Sequence, residues 1–332
     1  MASFLVTGGA GFIGSHIVQE LVRGGHRARV IDNFSTGKRE NLAGLEDSID
    51  LIQGDIRDVA AVNEAVKDID YVLHQAALAS VPRSIDDPLE TSEVNVQGTL
   101  NLLEASRRAE VRRFVLASSS SVYGPGHRLP KRELMKPNPI SPYAITKLTG
   151  EKFCQVFYSL YGLETVCLRY FNVFGPRQNP KSQYAAVVPK FILALLNHRS
   201  PIIYGDGGQT RDFTYVSNVV EANIQACMVQ EVIGQVLNVA CGARYSINEL
   251  FAVLQRLFGL DIPARHAPPR PGDVLHSLAD ISKAQRLMEY RPKVGFEQGL
   301  NKTMTWFKKQ HAARDHGAGD RLHRNRENLG VD

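Results

Sequence analysis

The residues with the clearest chemical potential are a tyrosine and a lysine, Tyr143 and Lys147, four positions apart. Ser141 and Pro142 precede them and are typical of the first positions of a helix, so both side chains should share one helix face. A free tyrosine titrates at about 10, but a neighbouring ammonium group favours phenolate and lowers the pKa. The pair can therefore act as a general base toward a hydroxyl group. Alone, this spacing also fits an ordinary solvated helix face.

Four consecutive serines at 118–121 follow an apolar segment, 114–116, that predicts a buried strand. In a doubly wound sheet the carboxyl ends of the strands line the ligand crevice. A hydroxyl group there can hydrogen-bond a reacting oxygen and relay its proton. Ser119 is the first candidate for this role and Ser120 the second, because the run of serines leaves the register ambiguous. The predicted catalytic residues are therefore Ser119, Tyr143 and Lys147.

A glycine-rich turn joins the first apolar segment, 4–6, to an amphipathic helical pattern. Gly9, Gly11 and Gly14 fit GxGxxG, while Gly8, Gly11 and Gly14 fit GxxGxxG. In either frame the chain turns tightly, a pyrophosphate can touch the backbone, and the helix packs close to the strand. The phosphates then meet free N–H groups at the positive end of the helix. The place of the turn between strand and helix favours a dinucleotide site over a plain tight turn.

An acidic residue, Asp32, ends the second predicted strand, 18 residues after Gly14. A carboxylate at this position accepts hydrogen bonds from an adenosine ribose. It would also repel a 2′-phosphate, which favours NAD over NADP, although Lys38 and Arg39 nearby leave NADP open. The predicted cofactor is NAD, whose cationic nicotinamide ring would join the Lys147 ammonium in favouring the phenolate of Tyr143.

Short apolar segments alternate with amphipathic ones through the first 170 residues. Predicted strands cover residues 4–6, 28–31, 51–53, 71–74, 114–116 and 165–168, and helical patterns include 60–66 and 94–109. This alternation predicts an α/β fold with a Rossmann-type, doubly wound parallel sheet. After Arg169, clusters of Gly, Pro and Asn separate helical patterns at 187–196, 216–229 and 247–258, which indicates a smaller, mixed C-terminal lobe.

The same patterns divide the chain into parts. We expect an NAD-binding domain at 1–170, rejoined by about 213–242 through a late strand at 236–239, and a substrate lobe mainly at 171–310. The segment 311–332 is charged and almost free of large apolar residues, which predicts a disordered tail.

The composition is that of an ordinary globular protein, with 43% hydrophobic and 22% charged residues. The net charge of +5 comes without a dense basic stripe, so no nucleic-acid partner is expected. Four cysteines without CxxC or histidine spacing predict reduced thiols and no metal site. The N-terminus does not resemble a signal peptide and no segment is long enough to cross a bilayer. We therefore expect a cytoplasmic protein without a membrane partner.

Together these features resemble the extended short-chain dehydrogenase/reductase family of nucleotide-sugar enzymes. They are most similar to the UDP-hexose 4-epimerases, over residues 2 to about 310. Further motifs that carry the resemblance are Gly-Asp-Ile-Arg-Asp at 54–58, His-Gln-Ala-Ala at 74–77 and Leu-Arg-Tyr-Phe-Asn-Val-Phe-Gly-Pro at 168–176. In the second lobe they are Tyr-Ala-Ala-Val-Val-Pro-Lys at 184–190, Tyr-Gly-Asp-Gly at 204–207, Gln-Thr-Arg-Asp-Phe at 209–213 and Arg-Pro-Gly-Asp at 270–273.

The resemblance implies residues for cofactor and substrate. It places the cofactor against Gly8, Gly11, Phe12, Ile13, Gly14, Asp32, Asn33, Asp55, Ile56, Gln75, Ala76, Ala77, Asn95, Ser118, Tyr143, Lys147, Tyr170, Asn172 and Val173. It places a UDP-sugar against Ser80, Arg83, Ser119, Ser120, Tyr143, Asn172, Ala186, Val187, Lys190, Tyr204, Arg211, Arg270, Asp273 and Ser277. Guanidinium groups such as those of Arg211 and Arg270 pair well with a diphosphate, although either alone also fits a surface ion pair.

The implied activity is an NAD-dependent 4-epimerisation, in which C4 of the sugar is oxidised and reduced again. The 4,6-dehydratases carry acids at the serine strand end, whereas 118–121 offers no carboxylate, so elimination is disfavoured. Ser277 stands where glucose/galactose-restricted epimerases carry a bulky tyrosine. This favours UDP-N-acetylglucosamine/UDP-N-acetylgalactosamine and leaves UDP-glucose/UDP-galactose open.

Other activities remain open at this point. A decarboxylase, a dehydratase, a 2-epimerase or a reductase acting on a nucleotide-sugar would share much of the pattern. An NAD-sensing binding protein is a further alternative, because fold alone does not decide function. In the family, helices corresponding to 94–109 and 142–161 form a dimer bundle, so the resemblance implies a homodimer.

Overall fold

The computed structural model describes residues 1–126, 128–180, 186–269 and 274–327, with the side chains of 313–327 outside the description. Its strands are β1 (Ser3–Thr7), β2 (Arg27–Asp32), β3 (Ile49–Gln53), β4 (Tyr71–His74), β5 (Arg113–Ser119), β6 (Glu164–Tyr170), β7 (Val173–Phe174), β8 (Ile202–Tyr204), β9 (Thr210–Arg211), β10 (Thr214–Tyr215), β11 (Val236–Val239), β12 (Tyr245–Ser246) and β13 (Arg265–Ala267). Its helices are α1 (Phe12–Arg23), α2 (Val59–Ala65), α3 (Val81–Asp86), α4 (Pro88–Ser92), α5 (Gly98–Arg108), α6 (Pro142–Tyr161), α7 (Val187–Leu196), α8 (Val216–Met228), α9 (Ile247–Phe258), α10 (Ser282–Met288) and α11 (Phe296–Glu327).

Seven strands form one sheet in the order β11–β6–β5–β4–β1–β2–β3, and all neighbouring strands are parallel. The chain builds the sheet outward from β1 in one direction and then returns to build it in the other. This is the doubly wound arrangement, so the predicted Rossmann-type α/β fold is confirmed. The switch point lies between β1 and β4, and a ligand crevice is expected at their carboxyl ends.

Apolar side chains cover both faces of this sheet, because successive residues of a strand point to opposite sides. In β1, Phe4 and Val6 pack into one buried cluster with Ile17 of α1. The residue between them, Leu5, packs into a second cluster with Leu102 of α5. Each fully buried side chain of this size contributes about 1.5–3 kcal/mol to folding. The two layers fix β1 and α1 around the glycine turn that joins them.

Helix α6 carries the predicted tyrosine and lysine, and it begins where the sequence predicts. The Ser141 hydroxyl accepts a hydrogen bond from the Ala144 amide at 3.2 Å, and Pro142 occupies the first turn. The helix ends at Gly162, whose φ of 73° is left-handed and favours glycine. These signals set the boundaries of the helix and therefore the direction of its catalytic face.

The later part of the chain forms shorter elements. Strand β7 pairs with β10, β9 pairs with β12, and β8 pairs with β13, beside helices α7 and α9. Two later elements lie elsewhere: β11 pairs with β6 at the edge of the main sheet, and α8 packs against α1. The chain therefore crosses from the small lobe back to the main sheet.

Two segments differ from the sequence-based expectation. The helical pattern at 94–109 is interrupted by a π-helical turn at Glu93–Gln97, where the wider spacing turns Asn95 into the interior. Helix α11 continues to Glu327, into the segment 311–332 that was expected to be disordered. Residues 311–327 contain alanines and arginines of high helix propensity but also Gly317 and Gly319, so propagation from the packed start of the helix accounts for its continuation.

Candidate active site

A cavity of about 720 Å³ lies at the carboxyl ends of the strands around the switch point. The glycine turn, the end of β2, the loop after β4 and the first turns of α6 form its walls. The predicted site residues that line it are Gly8, Gly11, Phe12, Ile13, Gly14, Asp32, Asn33, Asp55, Ile56, Gln75, Ala76, Ala77, Ser80, Arg83, Ser118, Tyr143, Lys147, Tyr170 and Ala186. The structure thus gathers most of the predicted cofactor residues into one crevice.

The glycine turn leaves no room for side chains. Gly8 has a φ of 65°, and a Cβ there would lie 2.8 Å from the backbone of Ala76. A Cβ on Gly14 would lie 2.2 Å from the Gly8 carbonyl oxygen, so α1 can approach the turn only without one. The Gly11 amide donates to the same oxygen at 3.0 Å. The first amides of α1 have no intrahelical acceptor, and Phe12 faces the cavity, which fits the diphosphate of a dinucleotide.

Asp32 presents a buried carboxylate at the end of β2. One oxygen accepts a hydrogen bond from the Ala10 amide at 2.9 Å, and the other accepts one from the Phe34 amide at 2.8 Å. Burial raises the pKa of Asp32, and the two amides oppose this rise. They fix the carboxylate in place and leave lone pairs for ribose hydroxyls. The arrangement fits the adenosine end of NAD and disfavours a 2′-phosphate.

A second carboxylate, Asp55, lies at the same end of the cavity. Arg57 donates to its two oxygens at 3.0 and 2.8 Å, and Asn33 donates at 2.8 Å. The hydrogen bonds from Arg57 hold the pKa of Asp55 well below its usual range. Asp55 therefore stays ionised and acts only as an acceptor. This chemistry suits a contact with the amino-bearing edge of an adenine.

Of the three predicted catalytic residues, Tyr143 and Lys147 line this cavity, and Ser119 lies beside Tyr143. The hydroxyl of Ser119 lies close enough to that of Tyr143 for its hydrogen bonding to lower the pKa of the phenol. The Lys147 ammonium donates to the Ala117 carbonyl oxygen at 2.8 Å and lies 5.9 Å from the centre of the Tyr143 ring. Burial lowers the pKa of Lys147 to about 8. Helix α6 and strand β5 thus bring a phenol, an ammonium and an alcohol together.

The acidity of Tyr143 differs from the sequence-based expectation. Burial raises its pKa, and the hydrogen bond from Ser119 is what opposes the rise. The ammonium of Lys147 is itself desolvated and directs its hydrogen bond to the backbone, so in the cofactor-free protein burial outweighs its effect on the phenol. An additional positive charge beside the phenol would lower its pKa. The oxidised nicotinamide of NAD carries such a charge.

The structure distinguishes among the serines at 118–121. Ser118 donates its hydroxyl to Glu151 of α6, and Glu151 forms a buried, two-pronged ion pair with Arg169 at 2.8 and 2.7 Å. Ser119 faces Tyr143 and also accepts from the Ser121 amide at 3.1 Å. Ser118 is therefore committed to the interior, and Ser119 is the alcohol in contact with the phenol.

Three predicted cofactor residues are placed beside the cavity rather than among the residues that line it. The Asn95 side chain accepts from the Leu78 amide at 2.8 Å and donates to Thr146 at 3.1 Å, so it ties the loop after β4 to α6. Asn172 donates to the Asp212 carbonyl oxygen at 3.2 Å. Val173 opens β7. Asn95 thus acts on the cofactor site through the elements that it connects.

The predicted substrate residues spread over both lobes. Ser80 caps α3 by accepting from the Arg83 amide at 3.2 Å. Arg211 donates to the carbonyl oxygens of Thr210 and Leu275 at 3.0 and 3.1 Å. The other described positions are Ser120 in the turn after β5, Val187 and Lys190 in α7, Tyr204 in β8, and Ser277 in the loop before α10. Arg270 and Asp273, together with the predicted uracil segment at 184–185, lie outside the described residues.

Some lining residues were not predicted from the sequence. They are Ser35, Thr36, Lys38 and Asn41 after β2, Glu90 in α4, and Arg177, Gln178 and Asn179 after β7. A Gly-Lys-Arg sequence after Asp32 and a Gly-Pro-Arg-Gln sequence after Phe174 were available as signals for part of this set. Neither has a spacing that identifies a cofactor contact, because both segments are irregular.

Among the described residues, no cluster of His, Cys, Asp or Glu could hold a metal ion. Among the helices described, none combines the length and apolar character needed to span a membrane.

The sheet, the glycine turn and the Tyr143, Lys147 and Ser119 arrangement define an enzyme of the short-chain dehydrogenase/reductase type. The chain belongs to the NAD dependent epimerase/dehydratase family, whose profile matches residues 4–240. NAD is therefore the cofactor, and the glycine cradle and Asp32 fit it.

Similar proteins of known sequence or structure cover nearly the whole chain. A UDP-glucose 4-epimerase of Mycolicibacterium smegmatis is 39% identical over 308 residues, which is 92% of this chain and 98% of that protein. A UDP-N-acetyl-alpha-D-glucosaminuronate decarboxylase of Bacillus cytotoxicus is 36% identical over 315 residues, with coverage of 92% and 97%. The solved UDP-N-acetylglucosamine 4-epimerase of Methanobrevibacter ruminantium, in complex with UDP-N-acetylmuramic acid, is 43% identical with a TM-score of 0.90 and coverage of 93% and 99%. The UDP-glucose 4-epimerase of Thermotoga maritima, with UDP-glucose, is 38% identical with a TM-score of 0.89 and the same coverage.

Proposed function

We propose that this protein is a UDP-sugar 4-epimerase that oxidises C4 of the sugar transiently and reduces it again on the opposite face. The observation that carries the proposal is the grouping of Tyr143, Lys147 and Ser119 at a cavity shaped for a dinucleotide. Tyr143 and Lys147 line the cavity, and the Ser119 hydroxyl interacts with the phenol. The UDP-sugars bound in the two similar structures support the substrate class.

In the proposed mechanism, Tyr143 as phenolate accepts the proton of the C4 hydroxyl, and Ser119 hydrogen-bonds the same oxygen and relays the proton. NAD, when bound, supplies the acceptor for the C4 hydride and the donor that returns it. Lys147 would stabilise the phenolate by its charge and, with NAD bound, would donate to the ribose of the nicotinamide. The 4-keto sugar then rotates to present its opposite face, and Tyr143 returns the proton to the C4 oxygen. Arg211 and Arg270 hold the diphosphate during this rotation.

The direct test incubates the purified protein with a UDP-sugar and no added cofactor. Formation of the C4 epimer without net production of NADH is expected, because the hydride returns to the sugar in each cycle. Release of carbon dioxide, or NADH in proportion to substrate, would contradict the proposal and favour a decarboxylase or a dehydrogenase. The presence of both Tyr143 and Lys147 disfavours an NAD-sensing binding protein, which has no need of this pair.

The hydroxyl relay can be tested by comparing alanine substitutions at two adjacent serines. Ser119→Ala should lower kcat by about 10- to 100-fold, because it removes the alcohol that contacts Tyr143. Ser120→Ala is the matched control and should change kcat by less than about threefold, since its hydroxyl is not the partner of the phenol. Steady-state kinetics on the same UDP-sugar decide the matter. A larger loss for Ser120→Ala would move the relay to that residue.

We propose the N-acetylated pair, UDP-N-acetylglucosamine and UDP-N-acetylgalactosamine, as the preferred substrates, with the unacetylated pair as weaker ones. The support is the small side chain at Ser277. Its backbone is held by a hydrogen bond from the Ser277 amide to the Thr210 carbonyl oxygen at 3.0 Å, so a larger side chain would extend from a fixed position.

Ser277→Tyr should therefore lower kcat/KM for UDP-N-acetylglucosamine by at least about 10-fold, since the phenol would occupy the space of the acetyl group. The value for UDP-glucose should change by less than about threefold. Parallel assays on both sugars give the ratio. An equal change for both sugars, or no turnover of the acetylated pair by the unaltered protein, would remove this proposal.

We also propose a homodimer through α5 and α6. Ile145, Val156 and Leu160 of α6 are exposed in the single chain and follow one side of the helix. Covering such side chains with a second copy removes apolar surface from water. Light scattering on the purified protein should give the mass of two chains.

The cytoplasmic location stays a prediction.

A further inference from the structure

We infer that Arg177 is a cofactor-binding residue whose guanidinium contacts the diphosphate of NAD and slows its release. Arg177 follows β7, on the chain that leads into the substrate lobe, and it belongs to neither predicted set of site residues. It lines the same cavity as Phe12 and Ile13 at the start of α1, where the diphosphate is expected. A residue of the second half of the chain would thus hold the cofactor in the first.

The segment around Arg177 is attached to α1. Its Nη2 donates to the Gln19 side chain at 2.9 Å. The neighbouring Pro176 carbonyl oxygen lies 3.0 Å from Nε2 of His16, within a hydrogen bond. Both partners lie on α1, the helix whose first amides face the phosphates. Arg177 is therefore fixed relative to the phosphate-binding turn and does not depend on movement of the substrate lobe.

The guanidinium is incompletely satisfied within the protein. Its Nη1 is buried and has no hydrogen-bond partner in the part of the chain that the structure describes. Burial also lowers the pKa of Arg177, although an arginine remains charged in proteins. A buried cationic donor without an acceptor is costly, and such groups are expected where a ligand supplies the missing acceptor.

The backbone at Arg177 is also strained. Its φ of 66° lies in the left-handed region, which residues with a Cβ rarely adopt. Strain of this kind persists at ligand sites, where the surrounding structure holds one side chain in a required direction.

The balance of charge along the cavity indicates which ligand Arg177 would take. The other arginines among the described lining residues have carboxylate partners: Arg57 pairs with Asp55, and Arg83 pairs with Glu90. Arg177 pairs with an amide instead, so its charge is not matched by an acid. A diphosphate carries two negative charges and offers oxygens that suit a guanidinium. The helix amides alone supply only a partial positive charge.

The experiment measures retention of NAD by the purified protein. Arg177→Met should be purified with less bound NAD than the unaltered protein, and it should release NAD at least about 10-fold faster, because one charge-assisted contact is lost. Arg177→Lys should lie between the two. Arg23→Met is the matched control. Arg23 is an exposed arginine at the end of α1, paired with Glu20, and its removal should leave retention unchanged.

Two further measurements on NAD-free protein separate binding from a structural role. Arg177→Met should unfold at the same temperature as the unaltered protein or higher, because an unmatched charge is removed. It should bind ADP at least about 10-fold more weakly but adenosine within about threefold, since adenosine lacks the diphosphate. Equal NAD content and release for Arg177→Met, or equal loss of ADP and adenosine binding, would overturn the inference. None of these readouts depends on which sugar the enzyme accepts.

Discussion

Replacing Tyr143 by phenylalanine should reduce kcat on a UDP-sugar by about 1,000-fold, with KM changed by only a few-fold. The substitution removes one hydroxyl, whose pKa is lowered by the Ser119 hydroxyl, and leaves the ring in place. Without this hydroxyl, no group between Ser119 and the sugar can accept the C4 proton and return it. The loss should appear in kcat because the proton is transferred in the transition state and not on binding.

The matched control for this substitution is Tyr161→Phe, at the end of the same helix. Tyr161 is 53% exposed and lies away from the cavity, so its hydroxyl should be dispensable. Tyr143→Phe should also keep its bound NAD and its unfolding temperature, which separates loss of chemistry from loss of structure. Full turnover by Tyr143→Phe would refute the assignment of the general base.

The state of the phenol gives a second readout for the same assignment. In the cofactor-free protein, burial raises the pKa of Tyr143, so the phenol keeps its proton at neutral pH. A positive charge added beside it favours the phenolate. Ultraviolet difference titration should therefore detect phenolate at a lower pH in the NAD-bound protein than in the NAD-free protein, and Tyr143→Phe should abolish that difference.

The central sheet could be predicted from the sequence because its physics is local and repetitive. Parallel strands are buried on both faces and read as short apolar runs, as in Val30 and Ile31 of β2. The start of α6 could be predicted equally well, because Ser141 and Pro142 carry the capping signal. The glycine turn was predicted in two frames, and both have a basis. Gly8 needs its positive φ, and a Cβ on Gly9 would lie 2.7 Å from the Val30 side chain.

The features that the sequence did not reveal depend on contacts between distant segments. The π-helical turn at Glu93–Gln97 accompanies the bonds from Asn95 to Leu78 and Thr146, which no local pattern encodes. The hydrogen bond from Ser118 to Glu151 could not be predicted, because it forms only where β5 packs against α6. Arg177 reaches the cavity from an irregular segment, where periodicity gives no information.

The acidity of the catalytic pair shows the same limit. Helical spacing placed Lys147 beside Tyr143, and the sequence predicted that the ammonium and the nicotinamide ring together acidify the phenol. Spacing could not show that both groups are desolvated. Burial opposes both charges, so it raises the pKa of Tyr143 and lowers that of Lys147. Proximity alone was therefore insufficient to predict the direction of the shift.

The desolvated ammonium of Lys147 leads to the second large expected effect. Lys147→Met should lower kcat by at least about 100-fold, because the phenolate loses its nearest charge, and yet it should stabilise the NAD-free protein at pH 7. The pKa of Lys147 falls from 10.5 to about 8 on folding, which corresponds to a cost of about 3 kcal/mol for keeping the charged form buried. The lost hydrogen bond to the Ala117 carbonyl oxygen offsets about 1 kcal/mol of the gain, which leaves about 2 kcal/mol.

The sign of the pH dependence follows from the two pKa values. Below pH 8 both the folded and the unfolded chain carry the proton, so the folded protein bears the full cost. Between pH 8 and 10.5 the unfolded chain binds more protons at Lys147 than the folded one, and the contribution of this residue to stability rises with pH. The advantage of Lys147→Met should therefore shrink as the pH rises from 8 toward 10.5.

Chemical unfolding of NAD-free protein at pH 7 and at pH 10 measures both parts of this prediction. Lys67→Met is the matched control, because Lys67 is an exposed lysine paired with Glu64 and its removal should change stability by less than about 0.5 kcal/mol at either pH. If Lys147→Met instead destabilises the protein equally at both pH values, the ammonium is not held at the cost of folding. Lys147 would then contribute to the stability of the folded protein as well as to activity, and the opposition between activity and stability at this site would not exist.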